Sequence, residues 1–329
     1  MVNFVEAQKP LLHFLVRRAG LRQQSVEVEP GTVMSFWVPK DKVTKKKGPI
    51  NNEIVPEGKS TYIQIPNENG KKTTKKERPA VVLVHGFAAE GIVTWQFQVG
   101  VLAEQYDVYV PDLLFFGESE TNSKDRSPLF QAQCLIAALT RLGVRHCTVV
   151  GFSYGGMVAF KMAELNPDLV RSLVISGSVI AMTDSISDAT LERLGMKSSA
   201  ELLLPETVKG LKALQSQAMY KKIWFPNFLM KDYLEVMFNH RKERAELLEG
   251  LVISNKDATV PVLTQKILLL WGENDNLFKV ELAMDMKEKL GEKTTIQTID
   301  KAGHLVHLER PCRYNRLLKE YLATVTAED

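Results

Sequence analysis

The stretch "TVVGFSYGGMVAFKMAE", Thr148 to Glu164, leaves a chain few ways to fold. A run of β-branched residues stops at Gly151; Phe152, Ser153 and Tyr154 follow, then Gly155, Gly156 and an apolar segment. Cys147–Val150 reads as a buried strand, and Met157–Glu164 as a helix ended by Asn166-Pro167. A lone serine with glycines two residues to either side, at the seam of a strand and a helix, fits a tight turn. It also fits a nucleophile elbow. There the turn is so sharp that the serine takes a strained backbone, and the glycines remove side chains that would clash.

The rest of the chain repeats the strand-then-helix rhythm. "PAVVLVHGF" is an unbroken apolar run ending in His85-Gly86-Phe87, the pattern of a strand buried on both faces. "YDVYVPDLLFFGES" is a second strand and loop, and Gln131–Leu142 is helical. "RSLVISGS", "KILLLWGENDNLF" and the shorter "TTIQTID" are further strands, and Cys312–Val325 closes the chain as a helix. This alternation predicts an α/β fold: a mostly parallel central sheet flanked by helices. Residues 181–262 break the rhythm. They contain no convincing strand and read as short helices at Asp188–Leu194, Ser198–Leu203, Glu206–Ala218 and Lys231–Leu251. We read them as a helical cap inserted over the carboxyl edge of the sheet, where ligands bind in open α/β folds. The aromatic residues Trp224, Phe225, Phe228 and Tyr233 would then line a substrate pocket.

The expected organisation is an N-terminal amphipathic segment (1–24), a first core part (25–180), the cap (181–262) and a second core part (263–329). Pro10–Leu21 has helical spacing, with Leu11, Leu12, Phe14, Leu15 and Val16 apolar and Arg17 and Arg18 behind them. Such a helix either packs on the main domain or lies on an anionic membrane surface. "SVEVEPGTVMSFWVPK" alternates, breaks at Pro30-Gly31 and alternates again, a β-hairpin. Residues 40–78 are rich in Lys, Asn and Gly around a strand-like "STYIQIP", and read as a long hairpin excursion with basic tips, either a solvated face or a docking patch for an acidic surface.

Composition excludes several classes. A net charge of +3 over 329 residues gives no footprint for nucleic acid. No apolar run reaches the roughly 18 residues that span a bilayer, and the start lacks a signal-peptide layout. The three cysteines, Cys134, Cys147 and Cys312, form neither a metal cluster nor a disulfide framework and favour a reducing compartment. The expected location is therefore the cytoplasm, free or peripheral on a membrane. No metal or other cofactor is expected.

A serine hydroxyl needs a general base in reach, and the base needs a partner to hold it. Of six histidines, His304, in "AGHLVHLERP" after the last strand, would reach the carboxyl edge that Ser153 also occupies; His307 is the second candidate. The acid expected is Asp275, in the loop ending "LLLWGENDNLF", with Glu273 ranked behind it. Backbone N–H groups of Phe87 and Tyr154 would flank the Ser153 hydroxyl and hold an oxyanion. Asp112, also at a strand end, reads as a turn former beside Gly117 and Ser119.

The motifs "VLVHGF", "PDLLFFGES", "GFSYGGMVAFKMAE", "LLLWGENDNLF" and "GHLVHLERP" stand in an order that resembles the α/β-hydrolase superfamily over residues 26–325. The chain looks most like its capped branch, with epoxide hydrolases, haloalkane dehalogenases, monoacylglycerol lipases and meta-cleavage-product C–C hydrolases, and especially like plant-type proteins named after the last. The resemblance implies Ser153, Asp275 and His304 as a catalytic triad. Ser153 departs from the aspartate nucleophile of epoxide hydrolases and dehalogenases. "FAAEGIVTW" departs from the polar oxyanion loop of the C–C hydrolases. The function expected is hydrolysis of a small apolar ester through an acyl-enzyme. The alternatives are hydrolysis of a C–C bond beside a ketone carbonyl, or a non-hydrolytic ligand-binding or specialised-metabolism role.

Overall fold

The computed structural model describes residues 3–43 and 78–327. The basic excursion therefore lies, apart from its ends, outside the described residues. In chain order come α1 (Phe4–Arg18), β1 (Leu21–Glu29) and β2 (Thr32–Pro39), then β3 (Ala80–Val84), α2 (Gly91–Thr94), α3 (Val99–Leu102) and β4 (Asp107–Pro111). A two-residue β5 (Glu120–Thr121) precedes α4 (Pro128–Arg141), β6 (Cys147–Phe152), α5 (Tyr154–Leu165) and β7 (Val170–Ser176). The insertion carries β8 (Met182–Thr183), α6 (Asp184–Leu194), α7 (Ser199–Leu203), α8 (Val208–Ala218), α9 (Asn227–Met237), α10 (Arg241–Glu249) and β9 (Val252–Ile253). The chain ends with β10 (Lys266–Gly272), α11 (Val280–Leu290), β11 (Thr294–Ile299), α12 (Val306–Glu309) and α13 (Pro311–Thr326).

The main sheet runs β1-β2-β4-β3-β6-β7-β10-β11, with β5 beside β2. The β1/β2 hairpin is antiparallel to its neighbours and every pair from β4 to β11 is parallel. The unbroken apolar runs at β3, β6 and β10 follow from this, because helices cover both faces: Val81–Val84, Val149, Val150 and Ile267–Trp271 are all buried. Parallel strands send every chain exit to one edge, so the loops after β3, β6, β7, β10 and β11 meet there.

Four sequence expectations shift. The first helix begins at Phe4 rather than Pro10, because the Asn3 side chain caps the N–H groups of Val5 and Glu6. It ends at Arg18, and Leu21–Gln24 already belong to the sheet, so the division at residue 24 falls inside β1. The cap does contain strands: β8 and β9 pair Met182 with Val252 and Thr183 with Ile253, tying the two stems of the insertion together. Two residues are too short to leave an alternating signal. The helix expected over Lys231–Leu251 is two helices, broken where His240 takes a φ of +46°.

The cap is fastened to the carboxyl edge by polar contacts. The buried Arg244 donates to Phe115 O at 2.9 Å and lies 4.0 Å from the centre of the Phe116 ring. Arg193 donates to the carbonyls of Asn276 and Leu277. Leu305 N–H donates to Ala218 O at 3.2 Å, and Arg126 pairs with Glu246 at 2.8 Å.

Candidate active site

Ser153 sits between β6 and α5 at φ 53° and ψ −122°, a backbone that costs a non-glycine residue about 1–3 kcal/mol. The turn closes because its neighbours have no side chains. A Cβ on Gly151 would lie 2.7 Å from Gly155 O and from Gly156 Cα, and one on Gly155 would run into the carbonyls of Val84 and His85. The result lifts the Ser153 side chain off the end of β6 while the strand below stays paired.

His304 lies in the loop after β11, and its Nε2 is 3.0 Å from Ser153 Oγ. Its Nδ1 is 2.8 Å from Asp275 Oδ2. The other carboxylate oxygen of Asp275 accepts the N–H groups of Leu277 and Phe278 at 2.8 and 2.9 Å. Asp275 therefore cannot turn away from the ring. With the carboxylate accepting, the imidazole proton belongs on Nδ1, and Nε2 is free to accept from the serine hydroxyl. Phe152 and Phe278 stack about the imidazole at 4.8 and 5.7 Å between ring centres. His304 and Asp275 are buried while Ser153 keeps partial exposure, so a substrate can reach the hydroxyl and water is kept from its partners.

The other candidates fall away. Glu273 is exposed and takes the Thr298 hydroxyl at 2.9 Å. His307 is fully buried among Trp95, Phe152 and Tyr314, and burial pushes its pKa down to about 3. Asp112 is buried, and its carboxylate accepts Gly91 N–H at 2.8 Å; burial raises its pKa to about 8.

Phe87 and Tyr154 are neighbours at the site, their rings edge to face at 5.9 Å. Val84 of β3 is in register with Gly151 of β6, so Phe87 and Ser153 both lie just beyond the paired edge. A Cβ on Gly86 would come within 3.2 Å of Ser153 Cβ. Among the described residues no acceptor takes the backbone N–H of Phe87 or Tyr154.

The pocket expectation needs correcting. Trp224, Phe225 and Phe228 are 77%, 38% and 48% exposed and face outward. The N–H groups of Tyr220 and Lys221 are held by Glu309 at 3.1 and 2.9 Å, which seats the backbone of the loop before α9 and throws its side chains out. Met230, Tyr233 and Met237 take the inward face of α9, and Phe228 is on the other side. Tyr233 alone of the four points to the site, donating from its hydroxyl to Ala88 O at 3.2 Å.

Other side chains support the site through contacts that the sequence did not show. His85 accepts Leu113 N–H on Nε2 at 2.9 Å and donates from Nδ1 to Gly86 O at 2.6 Å, so it is neutral; burial lowers its pKa to about 4. With Asp112 and Tyr233 it pins the loop that carries Phe87. Ser178 Oγ donates to Ser153 O at 2.7 Å. Gly177, at φ +52°, lies against His304 and Asp275, where a Cβ would be 2.7 Å from Nδ1. The "SGS" after β7 at the same edge was the available signal for both.

The family profile described as alpha/beta hydrolase fold matches residues 79–311, over two thirds of the chain. This chain belongs to the α/β-hydrolase family. The hydrolase is 24% identical to epoxide hydrolase 3 of Xenopus tropicalis over 75% of its own length and 72% of the relative's. It is 24% identical to the monoacylglycerol lipase ABHD6 of Bos taurus over 77% of each chain. It superposes on the 2-hydroxy-6-oxo-6-phenylhexa-2,4-dienoate hydrolase of Rhodococcus sp. strain RHA1 with a TM-score of 0.67 at 19% identity, covering 92% of this α/β-hydrolase and 99% of the other. The relatives' names span three chemistries on one fold, so the choice among them falls to the site.

Proposed function

We propose that this α/β-hydrolase is a serine esterase that cleaves a carboxylic ester bearing an apolar group. The observation that carries the reading is the unbroken chain from Ser153 Oγ through the His304 ring to Asp275, at 3.0 and 2.8 Å. Ser153 Oγ attacks the ester carbonyl carbon while His304 Nε2 takes the hydroxyl proton. Asp275 holds the ring in its tautomer and offsets the charge of the imidazolium. The N–H groups of Phe87 and Tyr154 receive the oxyanion. As the tetrahedral intermediate collapses, the C–O bond to the alcohol breaks and His304 returns the proton to the departing oxygen. Water, deprotonated by the same nitrogen, then releases the acid and restores Ser153. A serine at this turn argues against epoxide opening by a carboxylate nucleophile. Phe87, Ala88 and Ala89 give the loop after β3 an apolar character that suits an acyl or alkyl chain better than a charged dienoate. Within the family we place the protein in the capped branch its motifs resemble, beside the plant-type proteins.

The test is turnover of p-nitrophenyl esters of increasing chain length by wild type and Ser153→Ala, with a fluorophosphonate probe on both. Loss of turnover and labelling together in the variant is expected. Labelling of the wild type with no ester turnover, and turnover of a dienol-diketone instead, would replace this reading with C–C hydrolysis. A wild type that neither labels nor turns over would leave a ligand-binding role.

A further inference from the structure

Helix α1 carries two apolar faces. Val5, Leu12 and Val16 pack against the core. Phe4, Leu11, Phe14 and Leu15 fall on a second stripe, roughly 120° around the helix, and are exposed, Leu11 by 61%. One apolar face accounts for docking on a domain; the second is left largely exposed. It does not stand alone. The Phe4 ring meets the Phe228 ring of α9 at 5.5 Å, and Phe4 N–H donates to the Asp232 side chain at 2.8 Å. Immediately before α9, the six residues Tyr220-Lys221-Lys222-Ile223-Trp224-Phe225 are all exposed. The Phe4–Phe228 contact joins the helix stripe to α9, and this loop leads directly into α9, so the exposed apolar side chains of both belong to one face.

We infer that this surface docks the enzyme on an anionic lipid bilayer. Charge selects that occupant. Arg17 and Arg18 end α1, Lys221 and Lys222 precede Trp224, and none of the four is in an ion pair among the described residues. No acid occurs between Tyr220 and Phe228, and the acids at the seam are engaged: Asp232 takes Phe4 N–H and Glu235 takes Asn3. Aromatic and aliphatic side chains with Lys and Arg beside them are the make-up of a segment lying in a lipid headgroup layer. Position strengthens the assignment. The loop is anchored through Glu309, which also takes Gly303 N–H beside His304 at 2.7 Å. Helix α1 reaches the other edge of the site, where Lys9 pairs with Glu90 at 3.2 Å, two residues beyond Ala88. The docking face thus frames the approach to Ser153, and binding does not depend on which bond the site cleaves.

Trp224 is a built-in reporter, because Trp37, Trp95 and Trp271 are buried at 2%, 0% and 0% exposure. Titrating full-length protein with phosphatidylserine/phosphatidylcholine vesicles should shift its emission to the blue and let brominated lipid quench it. Co-sedimentation should weaken about tenfold or more for Leu11→Ser/Phe14→Ser and for Trp224→Ser/Phe225→Ser. Lys221→Gln/Lys222→Gln should weaken binding to anionic vesicles and leave the low residual binding to phosphatidylcholine unchanged. Melting temperatures near wild type would show that the exposed substitutions leave the fold intact. Unchanged Trp224 emission with vesicles, or variants that sediment like wild type, would overturn the inference. So would a dimer in light scattering that the same substitutions dissolve, since the face would then belong to a second copy of the chain.

Discussion

Gly177→Ala tests how tightly the His304–Asp275 pair is boxed in. The added Cβ would stand 2.7 Å from His304 Nδ1, 2.8 Å from Cε1 and 3.2 Å from Asp275 Oδ2, against ordinary contact from 3.4 Å. The ring must therefore give way by about 0.7 Å at the atom that bonds Asp275. It has little room, with Phe152 and Phe278 beside it. A displacement approaching 1 Å in a reacting group costs about 100-fold in rate. The left-handed φ of +52° adds about 1–2 kcal/mol against folding. That corresponds to roughly 1.5–3 °C in melting temperature for a chain of this size. Gly195→Ala isolates the backbone contribution, because Gly195 has a similar φ of +67° and nothing within 4 Å of its would-be Cβ. The expected result is a loss of stability in both variants that is larger in Gly177→Ala, where the overlap adds to the backbone cost, with kcat down about 100-fold only in Gly177→Ala, measured on the best p-nitrophenyl ester. A Gly177→Ala enzyme within twofold of wild-type kcat would refute the claim that this glycine sets the position of the base.

Ser153→Gly should be inactive yet more stable than wild type by about 1 kcal/mol or more, because glycine adopts the φ of 53° without strain; a chemical-denaturation midpoint at or below wild type would contradict this. Acid should weaken the fold through His85 and His307, which burial holds near about 4 and about 3, below the ordinary 6.5 of the unfolded chain. Their contribution is full above pH 6.5 and is lost as pH falls toward those values, since the unfolded state takes up protons the folded state refuses. Asp112, raised to about 8, acts with the opposite sign between pH 3.8 and 8, so the reading is a difference: the stability gap between wild type and His307→Phe should shift in favour of the variant as pH falls from 7 to 4.

Local sequence determined a good deal of this protein. The apolar runs at β3, β6 and β10 announce strands covered on both faces, and the rule that parallel strands exit at one edge is enough to bring Ser153, Asp275 and His304 to the same rim from positions 29 and 151 residues apart. The glycines around Ser153 encode the turn because no other residue fits it. What sequence could not decide was direction. Trp224, Phe225 and Phe228 look like pocket residues by composition. Trp224 and Phe225 face outward from a loop whose backbone Glu309, far along the chain, holds in place, and Phe228 faces outward because other residues take the inward side of α9. His307 and His304 are three residues apart and equally histidine. Only packing sends one under Trp95 and the other to the serine. The second apolar face of α1 is likewise invisible as periodicity, since a stripe left bare and a stripe buried share one spacing. Chain-local preferences set which elements form and in what order. Long-range packing alone assigns each side chain to core, site or surface, because that choice is made by neighbours the local sequence does not contain.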